Sequence, residues 1–254
     1  MIDSPLILSL ETATLGGSVW LGRGKFQLAA RIGDPLVSQS TSLLSDINSC
    51  LEEAGLSLPD VDVFACASGP GSFTGLRIGI ATLKALAATL DRPTVGVPTL
   101  YAVAHAAGPS RATISLLPAG RGEVFAQMFS VSSVSGDDIV VAVDTAAHLS
   151  PQKLMERYGE LADLTWAGSG AYLQHAVLEN GARARGLALR LSSADPLSTA
   201  REPGWDLAAN EANLAKHVAA LAEQAFRKGM LERPDSLNAI YVRPSDAELK
   251  EQCR

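Results

Sequence analysis

Residues 67–81 read ASGPGSFTGLRIGIA. A predicted strand over 61–68 runs into a Gly-Pro-Gly turn, and the turn opens a helix of small and aliphatic residues. Gly69 and Gly71 permit a tight turn, and Pro70 fixes one torsion between them. Ser72 or Thr74 can cap the helix that follows. A helix N-terminus reached in this way presents backbone N–H groups that suit an anion. The same residues can instead form a structural corner beneath a packing surface. A Walker A loop is excluded, because it needs four residues between its glycines and then Gly-Lys-Ser/Thr; here three residues separate Gly71 from Gly75 and Leu76-Arg77 follows. A dinucleotide loop fits poorly: Gly69, Gly71 and Gly75 are one residue too widely spaced at the end. Asp91 also precedes the next strand, over 94–97, where the motif needs an acid after it.

Other chemistry-bearing groups are sparse. The histidines His105, His148, His175 and His217 contain no i, i+3 or i, i+4 pair, so no helical metal pair exists. His217 is expected on the surface of a late helix, and His105 follows an apolar stretch without a partner. No GxSxG elbow is present. Cys50, Cys66 and Cys253 form no CxxC pair. Cys50 and Cys66 sit in apolar patterns, as core thiols of a reducing compartment do.

The chain has 254 residues, 47% hydrophobic and 19% charged. That is enough for one large domain or two small ones. A net charge of −6 and a pI near 5.2 argue against autonomous binding to a nucleic-acid backbone. No apolar run approaches a membrane span, and the N-terminus lacks the basic region of a signal peptide. A cytoplasmic protein with no membrane contact is expected.

The elements repeat. Strands are predicted over 6–11, 18–21 and 25–32, the last two joined by a turn at Gly22-Arg23-Gly24. A helix over 35–54 follows, capped by Asp34 and closed by Gly55. The strand over 61–68 and a helix over 74–90 complete the first half. In the second half, strands over 112–117, 124–131 and 138–143 precede a short helix from Ser150-Pro151, a strand over 163–167 and a helix from Gly168-Ser169-Gly170 to Gly181. An extra strand over 187–191, a loop over 194–204, a helix over 206–228 capped by Asp206, and a last strand over 237–242 follow. Each half reads strand, strand, strand, helix, strand, helix. This implies mixed sheets with helices against them and two similar lobes. The boundaries are 1–108 for the first lobe and 109–205 for the second. Residues 206–243 form a helix and strand packing back on the lobes, and 244–254 a frayed tail.

The helix over 74–90 is apolar nearly all round, with only Arg77 and Lys84 charged. Such a helix is covered on more than one side. The pattern leaves open whether its own lobe or a partner chain supplies the second cover, with Gly75 and Gly79 allowing close approach.

This order resembles the duplicated actin-like ATPase fold (ASKHA, ribonuclease H-like). In that fold Glu11, Thr12 and Thr14, after the first strand, and Gly168 and Gly170, in the second half, occupy the places of nucleotide contacts, and are read as vestiges of them. At finer grain the chain is identified as a member of the TsaB family, also called YeaZ. The residues that carry this are ILSLETATLGGSVWL from Ile7, ASGPGSFTGLRIGIATLKALA from Ala67, PTVGVPTLYAVA from Pro93, GRGEVFAQ from Gly120, and AIYVRP near the end.

The resemblance implies a required, non-catalytic subunit in the formation of N6-threonylcarbamoyladenosine at position 37 of tRNA. Its partners would be TsaD, which holds the metal and performs the transfer, and the ATPase TsaE. TsaC supplies the activated substrate, and tRNA is met only through the complex. In that catalytic relative a His-x-x-x-His pair follows the block matching Pro93 to Val97; Thr99 and Val103 align with it here, and neither replaces imidazole as a ligand. No catalytic or metal residues and no intrinsic cofactor are therefore expected. ATP or ADP with Mg would belong to the partner interface.

The family packs its first two long helices on TsaD. The resemblance thereby assigns Leu43, Leu44, Ile47, Leu51, Gly75, Arg77, Ile78, Gly79, Thr82 and Leu83 to that interface, with the same surface hidden in a homodimer when the chain is alone. On this reading Ile78→Glu or Gly79→Arg abolishes partner binding and leaves the monomer folded. Two positions depart from the family: Gln39 and Ser40 replace a His-Ser pair, and Pro118 replaces an Asp. The alternative from another class is an active ATP-dependent small-molecule kinase of the same fold.

Overall fold

A computed structural model describes residues 4–191 and 203–242. Within them the chain runs β1 (Leu6–Glu11), β2 (Ser18–Arg23), β3 (Phe26–Ile32), α1 (Gln39–Ala54), β4 (Val63–Gly69), α2 (Phe73–Thr89), β5 (Thr94–Pro98) and α3 (Thr99–Ala107). It continues with β6 (Ser110–Gly120), β7 (Glu123–Val134), β8 (Asp137–Ala142), β9 (Ala147–Leu149), α4 (Pro151–Tyr158), β10 (Leu164–Ala167), α5 (Ser169–Leu173) and α6 (His175–Ala184). β11 (Leu189–Leu191), β12 (Trp205–Leu207) and α7 (Leu214–Arg227) complete it.

Two mixed sheets result. The first has the order β3-β2-β1-β4-β5, and the second β8-β7-β6-β10-β12-β11 with β9 on β7. In both, the first three strands are antiparallel and β4, β5 and β10 to β12 join in parallel, while β9 pairs antiparallel with β7. β1 is buried along its whole length, as a strand covered on both faces must be. Leu8 and Leu10 meet Leu43 and Ile47 of α1 and Leu83 of α2 on one face. Ile7 meets Ala215, Val218 and Ala222 of α7 on the other. The second sheet has its own core around Trp166 and Trp205. A further cluster joins α3 to the β6–β7 face. Among the described residues no helix is long and apolar enough to cross a membrane.

Four local expectations change. Asp34 does not cap α1: its carboxylate accepts from Leu36 N (2.8 Å) and closes a turn, so the helix starts after Ser38. Gly55, at φ 65°, closes it as expected. The helix expected to end at Gly181 breaks at Gln174 and runs on to Ala184; Gln174 Nε2 donates to Gly122 O (2.6 Å). Asp206 is not a helix cap. It lies buried in β12, ion-paired to Arg190 at 3.2 Å, and Asn213 caps α7 instead by accepting from Lys216 N. A three-residue parallel strand has no periodicity to read, so its Asp is indistinguishable in sequence from a helix cap.

Residues 237–242 form no strand. Leu237 is buried, Lys84 Nζ donates to Leu237 O (3.0 Å), and Ile240 N donates to Ser68 O (2.7 Å), so the segment is strapped across the ends of α2 and β4. The tail over 244–254, Cys253, and most of the loop over 194–204 lie outside the described residues.

Candidate functional site

The Gly69-Pro70-Gly71 turn uses its polar groups inside the chain. Gly69 N donates to Thr99 Oγ1 (3.1 Å), Ser72 N to Ala13 O (2.8 Å), and Gly75 N to Ser72 Oγ (3.2 Å). A Cβ on Gly69 would fall 2.5 Å from Ile240 O, and one on Gly71 would fall 2.5 Å from Ala13 O. Three donors of a would-be anion cradle are thus committed. The turn is a corner that fixes the start of α2 against the loop after β1. Thr74 is exposed and is not the cap.

That loop is equally self-contained. Glu11 is fully buried and accepts from Thr14 N (2.8 Å) and Thr14 Oγ1 (2.6 Å). Burial raises its carboxyl above the usual range, and the Thr14 hydrogen bonds partly offset this. The hollow beside Glu11 and Thr12 is about 10 Å³, room for no more than a water. Gln39, one of the departures, donates from Nε2 to Thr14 O (3.0 Å) and so ties α1 to the loop. In the second half Gly168 has φ 88°, and a Cβ there would lie 2.5 Å from Leu116 O. A Cβ on Gly170 would lie 2.7 Å from Leu117 N, so both glycines serve the close approach of α5 to β6.

The tertiary structure does bring parts of the two halves together. Thr14 from the first and Gly168 from the second both line a cleft of about 640 Å³, whereas Glu11, Thr12 and Gly170 do not. Val103 and Pro118 line it too. Among the described residues Glu211 is the only charged lining side chain; no Lys or Arg reaches the cleft. Among the described lining residues the cleft therefore offers a nucleotide polyphosphate no cationic side chain.

The helix assignments divide. Leu43, Ile47, Leu51, Gly75, Gly79 and Leu83 point into the chain's own core. A Cβ on Gly75 would lie 1.9 Å from Thr12 O and one on Gly79 2.1 Å from Thr12 Oγ1. Those glycines let α2 approach the end of β1, so the expectation that they face a partner is corrected. Leu44 (63% exposed) and Arg77 face outward, and Ile78 and Thr82 are half-buried. They share this surface with Ala81, Ala85 and Ala88, which the resemblance did not assign to the interface. At the start of α2 the Arg77 guanidinium lies 3.9 Å from the Phe73 ring centre, and Tyr241 stacks on Phe73 at 5.4 Å.

A model of the family described as TsaD, tRNA N6-adenosine threonylcarbamoyltransferase, matches residues 38–246. The chain is 32% identical over 165 residues to the tRNA threonylcarbamoyladenosine biosynthesis protein TsaB of Escherichia coli (strain K12), covering 61% of this chain and 67% of that one. The chain belongs to the TsaB (YeaZ) family. The TsaB of Bacillus subtilis (strain 168) is 29% identical over 48% of this chain and 54% of its own length. The structure of YeaZ from Pseudomonas aeruginosa superposes with a TM-score of 0.70 at 23% identity, covering 93% of this chain and 99% of that one; at that identity the likeness concerns the fold.

Within this TsaB-family chain, the positions aligned with a metal pair hold other groups. Thr99 is buried and accepts from Gly69 N, and Val103 is an apolar wall. Among the described residues no three His, Cys, Asp or Glu side chains gather as a metal site.

Sequence reasoning missed the histidines. His217 is not on the surface, and His105 has a partner: their Nδ1 atoms are 2.8 Å apart, joining α3 to α7, with His217 Nε2 at 3.5 Å from Glu211. One Nδ1 must stay unprotonated to accept from the other. Burial, and His105 beside it, push His217 down to about 4. His105 is lowered by its burial, against the pull of Asp138 and Asp137 and with the push of Lys216 and Lys25. An unfolded imidazole titrates near 6.5, so the unfolded chain binds more protons between those values and stability falls as the pH drops through them. Between pH 7.5 and 5 we expect a loss on the order of 2 kcal/mol from this pair. Glu11, whose proton the fold favours, acts in the opposite sense, so the comparison must be internal. Urea unfolding at both pH values should show the loss in the wild type and not in a His105→Gln/His217→Gln variant; equal losses in both would remove the pair as the cause.

Proposed function

We propose that the chain is a non-catalytic scaffold in the formation of N6-threonylcarbamoyladenosine on tRNA, and that it acts by binding a TsaD-type catalytic subunit. The observation that carries this is a chain matched by the transferase model over 38–246 with Thr99 and Val103 where the catalytic relative has imidazoles. The repeated strand order of the two sheets supports a duplicated actin-like architecture, of which this chain is a degenerate copy. The outward surface of α1 and α2, with Leu44, Arg77, Ile78 and Ala81, is the docking face, and in the isolated chain it is covered by a second copy. TsaE joins the pair in the cytoplasm, tRNA is met through the complex, and any ATP or ADP with Mg belongs to the partner interface. The kinase alternative finds no support in a cleft without a cationic side chain among the described residues.

The test is threonylcarbamoylation of tRNA by TsaD, TsaE and TsaC from one source, with and without this chain. We expect modification to fall to background without it. Glu11→Gln, whose oxygen can still accept from Thr14 N while its NH2 donates to Thr14 Oγ1 in a reversed bond, should stay within about twofold of the wild type. Modification that proceeds without the chain, or that collapses when only the Glu11 charge is removed, would overturn the reading.

A further inference from the structure

We infer that the cleft between the two sheets is a binding site for a small organic monocation with an apolar body, an aliphatic or aryl amine. This goes beyond the scaffold role and does not depend on it. The volume of about 640 Å³ is that of a small-molecule pocket. Its walls are mostly hydrocarbon: Val103 of α3, Leu117 of β6, Ala167 of β10, and Leu214 of α7. Leu15 and Ile32 stand at 86% and 59% exposure among the lining residues, an unusual display of apolar surface.

The charge balance selects the ligand's sign. Glu211 is the one charged lining side chain among the described residues. Its Oε1 accepts from Asn213 N (2.7 Å), which holds the carboxylate in place without neutralising it. His217 faces Oε2 at 3.5 Å but is neutral near pH 7, since its pKa is about 4. Lys216, exposed on the same helix, also acts on Glu211 but from the solvent side. Thr14 gives the same sign independently. Its hydroxyl proton goes to Glu11 Oε2, so only lone pairs remain for a ligand, and they accept from a donor such as an ammonium. An anion would be desolvated beside the Glu211 carboxylate with only neutral donors such as Ser169 and Asn210 among the described lining residues, whereas an amine gains a charge-assisted hydrogen bond to that carboxylate.

The experiment uses the purified chain at pH 7.5 and matched probes: phenethylamine, 3-phenylpropionate of similar size and opposite charge, and ATP. Binding is followed by ligand-observed NMR and calorimetry, with circular dichroism to confirm that each variant is folded. We expect phenethylamine to bind at least about tenfold more tightly than the carboxylate, and ATP not to saturate. Glu211→Gln, which can keep the Asn213 hydrogen bond, should bring the two aryl probes within about twofold of each other. Ala106→Trp, which fills the cleft, should abolish binding of both. The proposal fails if the carboxylate or ATP binds as tightly as the amine, or if Glu211→Gln leaves the preference intact. It also fails if no probe saturates while addition of TsaD protects Leu15 and Ile32 from solvent, which would make the cleft a protein-docking groove.

Discussion

Gly79→Arg yields no folded chain on which partner binding can be measured. The first side-chain carbon would lie 2.1 Å from Thr12 Oγ1 and 3.1 Å from Thr12 Cβ, and the position is buried. The long cationic side chain would then have to be housed beside the hydrophobic core of Leu10, Ile80 and Leu83. Overpacking plus burial of a charge costs more than about 5 kcal/mol, comparable to the whole stability of a typical domain. Gly79→Ala isolates the first part, at roughly 2–3 kcal/mol. Because the obstacle at Gly79 is the Thr12 side chain, Thr12→Ala should return most of that loss. At Gly75 the obstacle is the Thr12 backbone oxygen at 1.9 Å, so the same second change should return nothing to Gly75→Ala. Urea unfolding of the four variants is the measurement. A wild-type midpoint for Gly79→Ala, or equal rescue at both glycines, would show that α2 does not approach β1 as closely as described.

Ala81→Arg, by contrast, should leave the unfolding midpoint within about 0.5 kcal/mol of the wild type, as surface changes do, and weaken association with a TsaD-type subunit at least about 100-fold. Ala81 is exposed on the face of α2 that also carries Arg77 and Ala85. A helix docked there would approach closely over the alanines, and an arginine would hold it off and leave a charge in the contact. Leu44→Asp, on the exposed side of α1, should act in the same direction with a smaller effect. Titration calorimetry with purified TsaD reads both. Undiminished binding by both variants would move the docking face away from these helices, and a lowered unfolding midpoint would assign any loss to the fold instead.

Much of the architecture was legible along the chain because its signals are local. The short apolar run of β1, the Gly22-Arg23-Gly24 turn between β2 and β3, the Gly55 stop of α1 and the Gly-Pro-Gly entry to α2 each depend on residues within a few positions of one another. Repeated in order, they imply two mixed sheets. The same blocks also carry the family resemblance. Where the local signal was short or ambiguous the reading failed: Asp206 sits in a strand of three residues, and Asp34 closes a turn in place of a helix.

The site was less legible. That α2 is apolar nearly all round is a property of the sequence, but which side meets its own chain is not. Gly75 and Gly79 are small because Thr12, more than sixty residues earlier, lies against them. His105 and His217 stand 112 residues apart and meet only because α7 returns across the first sheet beside α3. The composition of the cleft was equally hidden, since its walls come from both sheets and its one charge among the described residues from the turn before α7. Sequence periodicity encodes what a residue does to its neighbours within a turn or a strand pair; tertiary packing, acting between residues a hundred positions apart, decides which buried groups meet and what charge remains in the space between them.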